Sequence, residues 1–243
     1  MSRRALASWF VLALAPMLLA TLPLRLVLAE LPGIDPGAPV LSADDASGSI
    51  WSGRLHSVEW HGQALGDATL ALDPLSLLVG VQRLELATSG LSGDMFSADL
   101  LRGRRTGADR VNGQLRLDID RALPGLVAHL SFDNASLVFS GGRCQQANGA
   151  VKAELVVPGL IEPLRLQGPV RCDGDSGSIA FVSIPSPDAP RVEAKLGIGS
   201  DGRYRLQSRV QPGGALTALT LQAAGFRDTP AGLVRIDSGQ WAD

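Results

Sequence analysis

The sequence is poor in aromatic residues, cysteine, histidine and excess charge, and most of these shortages close off a class of function. The two cysteines, Cys144 and Cys172, are too few for a four-ligand zinc site of the usual kind. The three histidines, His56, His61 and His129, form no HExxH pair, which removes the helix-borne catalytic metal motif. Basic and acidic residues nearly balance, 22 against 24, for a formal net charge of -2. That excludes the basic surplus of a nucleic-acid binder. No GxGxxG or Walker loop is present, so no phosphate cradle of those kinds is expected, and no cofactor or small-molecule substrate is evident. Aromatics make up 5% of the chain, whereas glycine is abundant at 28 residues. Glycines interspersed with short runs of Val, Leu and Ala indicate many turns between short strands.

One long apolar run is present. Ala5 to Leu24, ALASWFVLALAPMLLATLPL, carries no charge, and about 20 such residues are what a bilayer-spanning helix requires. Arg3 and Arg4 precede it and Arg25 follows it. Basic residues stay on the cytoplasmic side, so the N-terminus is expected inside and the rest outside. Trp9 falls near the inner interface, where indoles concentrate. Val27-Leu28-Ala29 has the small-residue form of a signal-peptide cleavage site, but signal h-regions span only about 7–15 residues. A retained anchor in the cell inner membrane is therefore expected, with residues 1–29 as cytoplasmic tip and transmembrane helix. Residues 30–46, which include LPGIDPGAP from Leu31 to Pro39, read as a linker. Residues 47–243 read as an all-β periplasmic domain.

Within that domain several segments alternate apolar and polar residues with the period of a half-buried strand. They are Ala68 to Leu72, Gln82 to Ala87, Gln114 to Asp120, Arg203 to Val210 and Leu216 to Leu221. Asp173-Gly174 and Asp201-Gly202 suit tight hairpin turns. A small or polar residue followed by glycine opens an alternating stretch four times, at Ser47-Gly48, Asn112-Gly113, Asn148-Gly149 and Ser176-Gly177. Repeated turn chemistry accounts for this pattern; a series of similar hairpins along one sheet is the alternative. The expected fold is a twisted, largely antiparallel sheet, groove-like or partly closed.

Gly174-Asp175-Ser176-Gly177 spells the string around the nucleophile of chymotrypsin-like proteases. That chemistry needs a histidine within reach of the serine and a carboxylate to hold it. His129 sits in VAHLSF, which reads as a strand, and Asp173-Gly174 reads as a turn. No catalytic residue is assigned.

The order of several short elements carries a resemblance. After the apolar run come Ser47-Gly48-Ser49-Ile50-Trp51-Ser52-Gly53 and Val58-Glu59-Trp60. Next are Asp73-Pro74-Leu75-Ser76-Leu77-Leu78-Val79-Gly80 and then Gly142-Arg143-Cys144-Gln145-Gln146-Ala147-Asn148-Gly149. Last are Gly168-Pro169-Val170-Arg171-Cys172-Asp173-Gly174 and Asp201-Gly202-Arg203-Tyr204. In this order the chain resembles type II secretion system protein N, apart from Thr88 to Ala108, where nothing matches. The resemblance implies a non-enzymatic accessory of the general secretion pathway, which moves folded proteins from the periplasm across the outer membrane. Its expected partners are other secretion-system subunits and, through the N-terminal helix, the lipid bilayer. A single N-terminal helix followed by serial β-structure also resembles AsmA-like envelope proteins, which implies carriage or bridging of lipid along a β-groove.

An even number of cysteines in an exported domain suggests a disulfide. The segment between Cys144 and Cys172 reads as a hairpin, with strands from Gly149 to Val157 and from Leu164 to Val170. Pro158 and Pro163 suit its turn, since neither serves a ladder's interior. A hairpin brings its flanks together, so Cys144 and Cys172 are expected to be bonded. For the topology, a reporter enzyme fused after Asp243 is expected to be active only if it is of the kind that works in the periplasm. Activity of a cytoplasm-dependent reporter at that position contradicts the reading.

Overall fold

The computed structural model describes residues 22–24, 41–60, 63–89, 95–118, 125–157, 162–185, 190–211, 215–230 and 232–240. Among them is one antiparallel sheet of fifteen strands. It opens with β1 (Leu41–Ser42), β2 (Asp45–Ser49), β3 (Ser52–Trp60) and β4 (Gln63–Leu72). A short helix, α1 (Pro74–Leu78), leads to β5 (Val81–Ser89), β6 (Met95–Gly103) and β7 (Arg105–Asp118). Two further long strands follow, β8 (Val127–Ser140) and β9 (Arg143–Val156), then β10 (Leu164–Asp173) and β11 (Ser176–Ser183). The chain closes with β12 (Arg191–Ile198), β13 (Arg203–Gln211), helix α2 (Ala215–Ala223), β14 (Arg227–Thr229) and β15 (Gly232–Gln240). From β3 to β13 each strand pairs with the next in sequence, and β13 then pairs with β15. The serial-hairpin alternative therefore describes the architecture better than isolated turn chemistry does.

The alternating segments at 68–72, 82–87 and 203–210 lie within strands, as does Gln114 to Asp118; the last two residues of the expected Gln114 to Asp120 segment lie outside the described residues. Asp173-Gly174 and Asp201-Gly202 lie at the β10–β11 and β12–β13 turns. The pairing of β9 with β10 runs from Leu155↔Leu164 to Ala150↔Pro169, the hairpin expected between the cysteines. Among the described residues the first named strand starts at Leu41, which is joined to Trp60.

Three expectations are corrected. Leu216 to Leu221 is helical, as part of α2. Its leucines fall at 216, 219 and 221, a spacing that fits neither period cleanly, and the alanines at 215, 218 and 223 favour a helix. Leu221 packs with Phe226 on the core around Leu164, Leu166 and Val210. Ser47-Gly48 does not open a strand, because β2 ends at Ser49 and Ile50-Trp51 turn the chain. Asn112-Gly113 and Asn148-Gly149 stand inside β7 and β9 rather than at strand starts. Positive φ is what these positions need, as turn chemistry suggested, but they need it at bulges. The β8–β9 register shifts between Asp133 and Ser136, where Asn134 has φ 45° and Gly149 has φ 81°.

The bulges let the sheet curl onto its apolar face. A flat sheet would hold β8 and β11 about 14 Å apart, yet the side chain of Leu137 on β8 fills the space above Gly177 on β11. One cluster joins Ala98, Val111, Ala135, Val151, Val170 and Ile179, taken from strands β6 to β11. At the N-terminal end Leu24 is buried with Leu55, Val58, Ala68 and Leu70. Pro23 bridges Ser49, so the last residues of the apolar run lie on the sheet. At the other end α2 covers the core.

A Cβ at Gly149 would collide with the carbonyl of Asn134, in addition to straining the backbone. At Gly142 the φ is similar, 80°, but the space is open. Gly142→Ala is expected to cost about 1 kcal/mol of stability from left-handed strain alone. Gly149→Ala is expected to cost about 2–4 kcal/mol, because overpacking adds to that strain. Urea unfolding followed by circular dichroism measures both.

Candidate functional site

The polar face of the sheet carries the densest cluster of charge. Arg83 and Glu85 on β5, Asp99 on β6, and Asp109 and Arg110 on β7 converge there through the β5–β6 and β6–β7 pairing. Asp99 is 7% exposed, so its charge requires partners. Arg110 supplies two donors to Asp99 Oδ2, from Nε at 2.8 Å and from Nη2. Arg83 Nε lies 3.5 Å from the same oxygen, and Arg83 Nη2 lies 3.8 Å from Asp109 Oδ2. Arg110 also lies 3.7 Å from Glu85. Asp99 holds the Arg110 guanidinium above its ordinary pKa, first by hydrogen bonding and then by its charge, so this side chain stays cationic at any physiological pH.

The cluster continues across β8 and β9. The buried Ser136 hydroxyl donates to Asp109 Oδ1 at 2.6 Å and accepts from the Arg110 N–H at 3.2 Å. Gln146 Nε2 donates to the same Asp109 oxygen at 3.3 Å, and Arg105 Nη2 donates to Gln146 Oε1 at 3.2 Å. Arg110 has φ 50° and stands where the β7–β8 register shifts. The ion pairs thus clasp a bulge that a regular ladder would not stabilise. A groove of about 600 Å³ borders the cluster, lined by Arg54, Thr69, Glu85, Ser97, Asp99 and Arg110 among others. Its charges are largely neutralised by one another, and no group of metal-ligating side chains occurs among the described residues. The cluster lies mostly in or beside Thr88 to Ala108, the stretch where no short element carried a resemblance. Alternation of Asp and Arg with apolar residues in ADLLRGRRTGADR was the only signal of it.

The GDSG string is a turn. Ser176 Oγ donates to the Asp173 carbonyl at 2.9 Å, and Asp173 pairs with Ser176 across the hairpin. His129 pairs with Glu154, which pairs with Arg165. That is eight residues up β10 from Asp173, about 25 Å away. No triad can form. Asp173 instead binds Lys195 at 2.7 Å, and this contact lowers its pKa. His56 lies 3.6 Å from Asp67 at the surface, and His61 lies outside the described residues.

Cys144 and Cys172 are bonded, with Cα atoms 5.6 Å apart. The bond stands where the ladder fails. Pairing between β9 and β10 stops at Pro169, which has no N–H to give. Beyond it the strands are held by the disulfide and by the Cys144 N–H, which donates to the Asp175 carbonyl at 3.1 Å.

A single curled β-meander, with its charged residues pairing strand to strand and its cysteines clamping a hairpin, defines a structural or interaction module. Its family is shown by comparison: the chain belongs to the type II secretion system protein N family, whose model matches residues 39–236. The match spans β1 to β14 and much of β15. No curated protein and no solved structure matches the chain.

The disulfide closes a separation of 28 residues, worth about 3–4 kcal/mol in the chain-entropy model. In protein extracted and denatured without reductant, neither cysteine is expected to alkylate. After reduction both should alkylate, and the unfolding midpoint in urea should fall. Alkylation of both thiols before reduction contradicts the bond.

Proposed function

We propose that the chain is an accessory component of the type II secretion machinery in the inner membrane. In this reading the apolar run before Leu22 anchors it, shorter than the 1–29 segment expected because Leu22 to Leu24 lie on the sheet, and a periplasmic β domain binds other subunits, helping folded proteins pass from the periplasm across the outer membrane. The family match over residues 39–236 is the observation that carries the reading. Binding rather than catalysis is supported by the use of the polar residues, since Asp99, Asp109, Arg110 and Ser136 serve one another across strands. The sheet is also open at its ends. β14 covers β15 only from Gly232 to Val234, so among the described residues Arg235 to Gln240 pair on one side alone. Such an edge accepts an added strand.

Among the described residues no helix is long and apolar enough to cross a membrane. Residues 5–21 of the apolar run lie outside them, so the anchor rests on hydropathy and charge flanks. The AsmA-like reading, with lipid carried on the sheet, has less support. Its apolar face is occupied by the protein's own side chains, with Leu137 over Gly177 and Leu24 over Gly53.

Deleting the gene is expected to leave type II substrates in the periplasm, and re-expression is expected to restore their release. Ser176→Ala should restore it equally, because Ser176 is a turn residue. Normal release in the deletion strain overturns the proposal. A folded Ser176→Ala protein that fails to complement overturns the non-enzymatic reading.

A further inference from the structure

Helix α1 buries none of its residues, yet it is firmly built. The Asp73 carboxylate caps it by accepting from the Leu75 N–H at 2.9 Å, and Pro74 occupies the first turn. Ser76 Oγ donates to the Asp73 carbonyl at 2.8 Å and accepts from the Arg83 N–H at 3.2 Å. The Asp73 N–H donates to the Arg83 carbonyl at 2.9 Å. This rigid tip displays consecutive apolar side chains to solvent: Leu75 is 72% exposed, Leu78 83% and Val79 63%. Single exposed leucines are ordinary, but a contiguous apolar group marks an interaction site.

Its neighbours are cationic. The Arg104 N–H donates to the Gly80 carbonyl at 3.2 Å, which places the β6–β7 turn, with Arg102 and Arg104, beside the tip. Both arginines are exposed and have no ion-pair partner among the described residues. No Asp or Glu lies from Pro74 to Leu84 or from Leu100 to Ala108, so the charge here is unbalanced. A projecting apolar point with two arginines on the turn beside it suits a bilayer surface, where leucines enter the acyl boundary and cations meet anionic headgroups.

The tip also stands at the end of the sheet from which the apolar run leaves. The Ile50 N–H donates to the Leu22 carbonyl at 3.1 Å, and the Leu72 N–H donates to the Ile50 carbonyl at 3.0 Å. Leu72 leads straight into α1. Trp51, in the same turn as Ile50, is half-buried, and indoles favour this depth of a membrane. We infer that α1 is a second membrane contact: Leu75, Leu78 and Val79 dip into an anionic leaflet, and Arg102 and Arg104 hold its headgroups. The side of the sheet facing the bilayer rests on the proposed N-terminal anchor; the apolar and cationic character of the tip does not. Two contacts fix the tilt of the sheet on the membrane, which one contact cannot do.

The test uses the full-length chain carrying Leu78→Cys, labelled with bimane and reconstituted into phosphatidylcholine vesicles with or without phosphatidylglycerol. Nitroxide lipids report the depth of the label, and flotation after alkaline carbonate reports the anchor. The Leu78 label is expected to be quenched in phosphatidylglycerol vesicles. A label at Val156→Cys, on the opposite end of β9, should remain in water. Arg102→Gln and Arg104→Gln should each weaken the quenching equilibrium on the order of fivefold. Chain that floats with an unquenched Leu78 label overturns the tip contact and leaves the anchor intact. Chain that is quenched but stripped by carbonate overturns the anchor and leaves the tip. Chain that never binds vesicles overturns both. Protection of Leu78 only when other secretion subunits are added makes the tip a protein-docking site and overturns the lipid assignment.

Discussion

A single sheet has one apolar face and no second layer to cover it, and the rest of this structure follows from that constraint. Most domains solve the problem by packing two layers. Here the sheet bends until strands three positions apart touch through their side chains, as Leu137 does above Gly177. Bending needs irregular ladder positions, and the chain provides them at Arg110, Asn134, Gly113 and Gly149. Each irregularity breaks backbone pairing, so each must be held by something else.

The polar side chains and the disulfide supply that hold. Asp99, Arg83, Asp109, Arg110 and Ser136 tie β5 to β8 across the shifted registers. Charge in the interior is costly unless partnered, and here Asp99 accepts two hydrogen bonds from Arg110 and lies within ion-pair distance of Arg83, whose buried Nε makes no hydrogen bond among the described residues, while its neighbour Asp109 accepts from a serine and a glutamine. Cys144 and Cys172 act at the place where Pro169 ends the ladder. The residues that elsewhere would suggest chemistry are therefore occupied by mechanical tasks, in keeping with a family of secretion-apparatus components.

The two ends of the sheet differ in what they offer. At one end the turn Ile50-Trp51, the tip at α1 and the arginine turn at 102–104 are hydrogen-bonded in sequence to Leu22, the exit of the apolar run. Along the strand order, the last full strand leaves Arg235 to Gln240 open on its outer side. Under the proposed membrane reading, a module oriented at that end and presenting a strand edge has the parts needed to position partners.

The sequence by itself determined the strand class, the hairpin around the two cysteines and the turns at Asp173 and Asp201, because alternation and turn chemistry act over a few neighbouring residues. Tertiary structure alone decided the curl, the place of Gly113 and Gly149 within strands, and the helical state of Leu216 to Leu221. A glycine needing positive φ looks the same at a turn and at a bulge until its cross-strand neighbour is known, and a short apolar segment takes the form that its docking surface favours. The ion-pair clasp was invisible for the same reason: Asp99 and Arg110 are eleven residues apart, and only the register of β6 on β7 makes them partners.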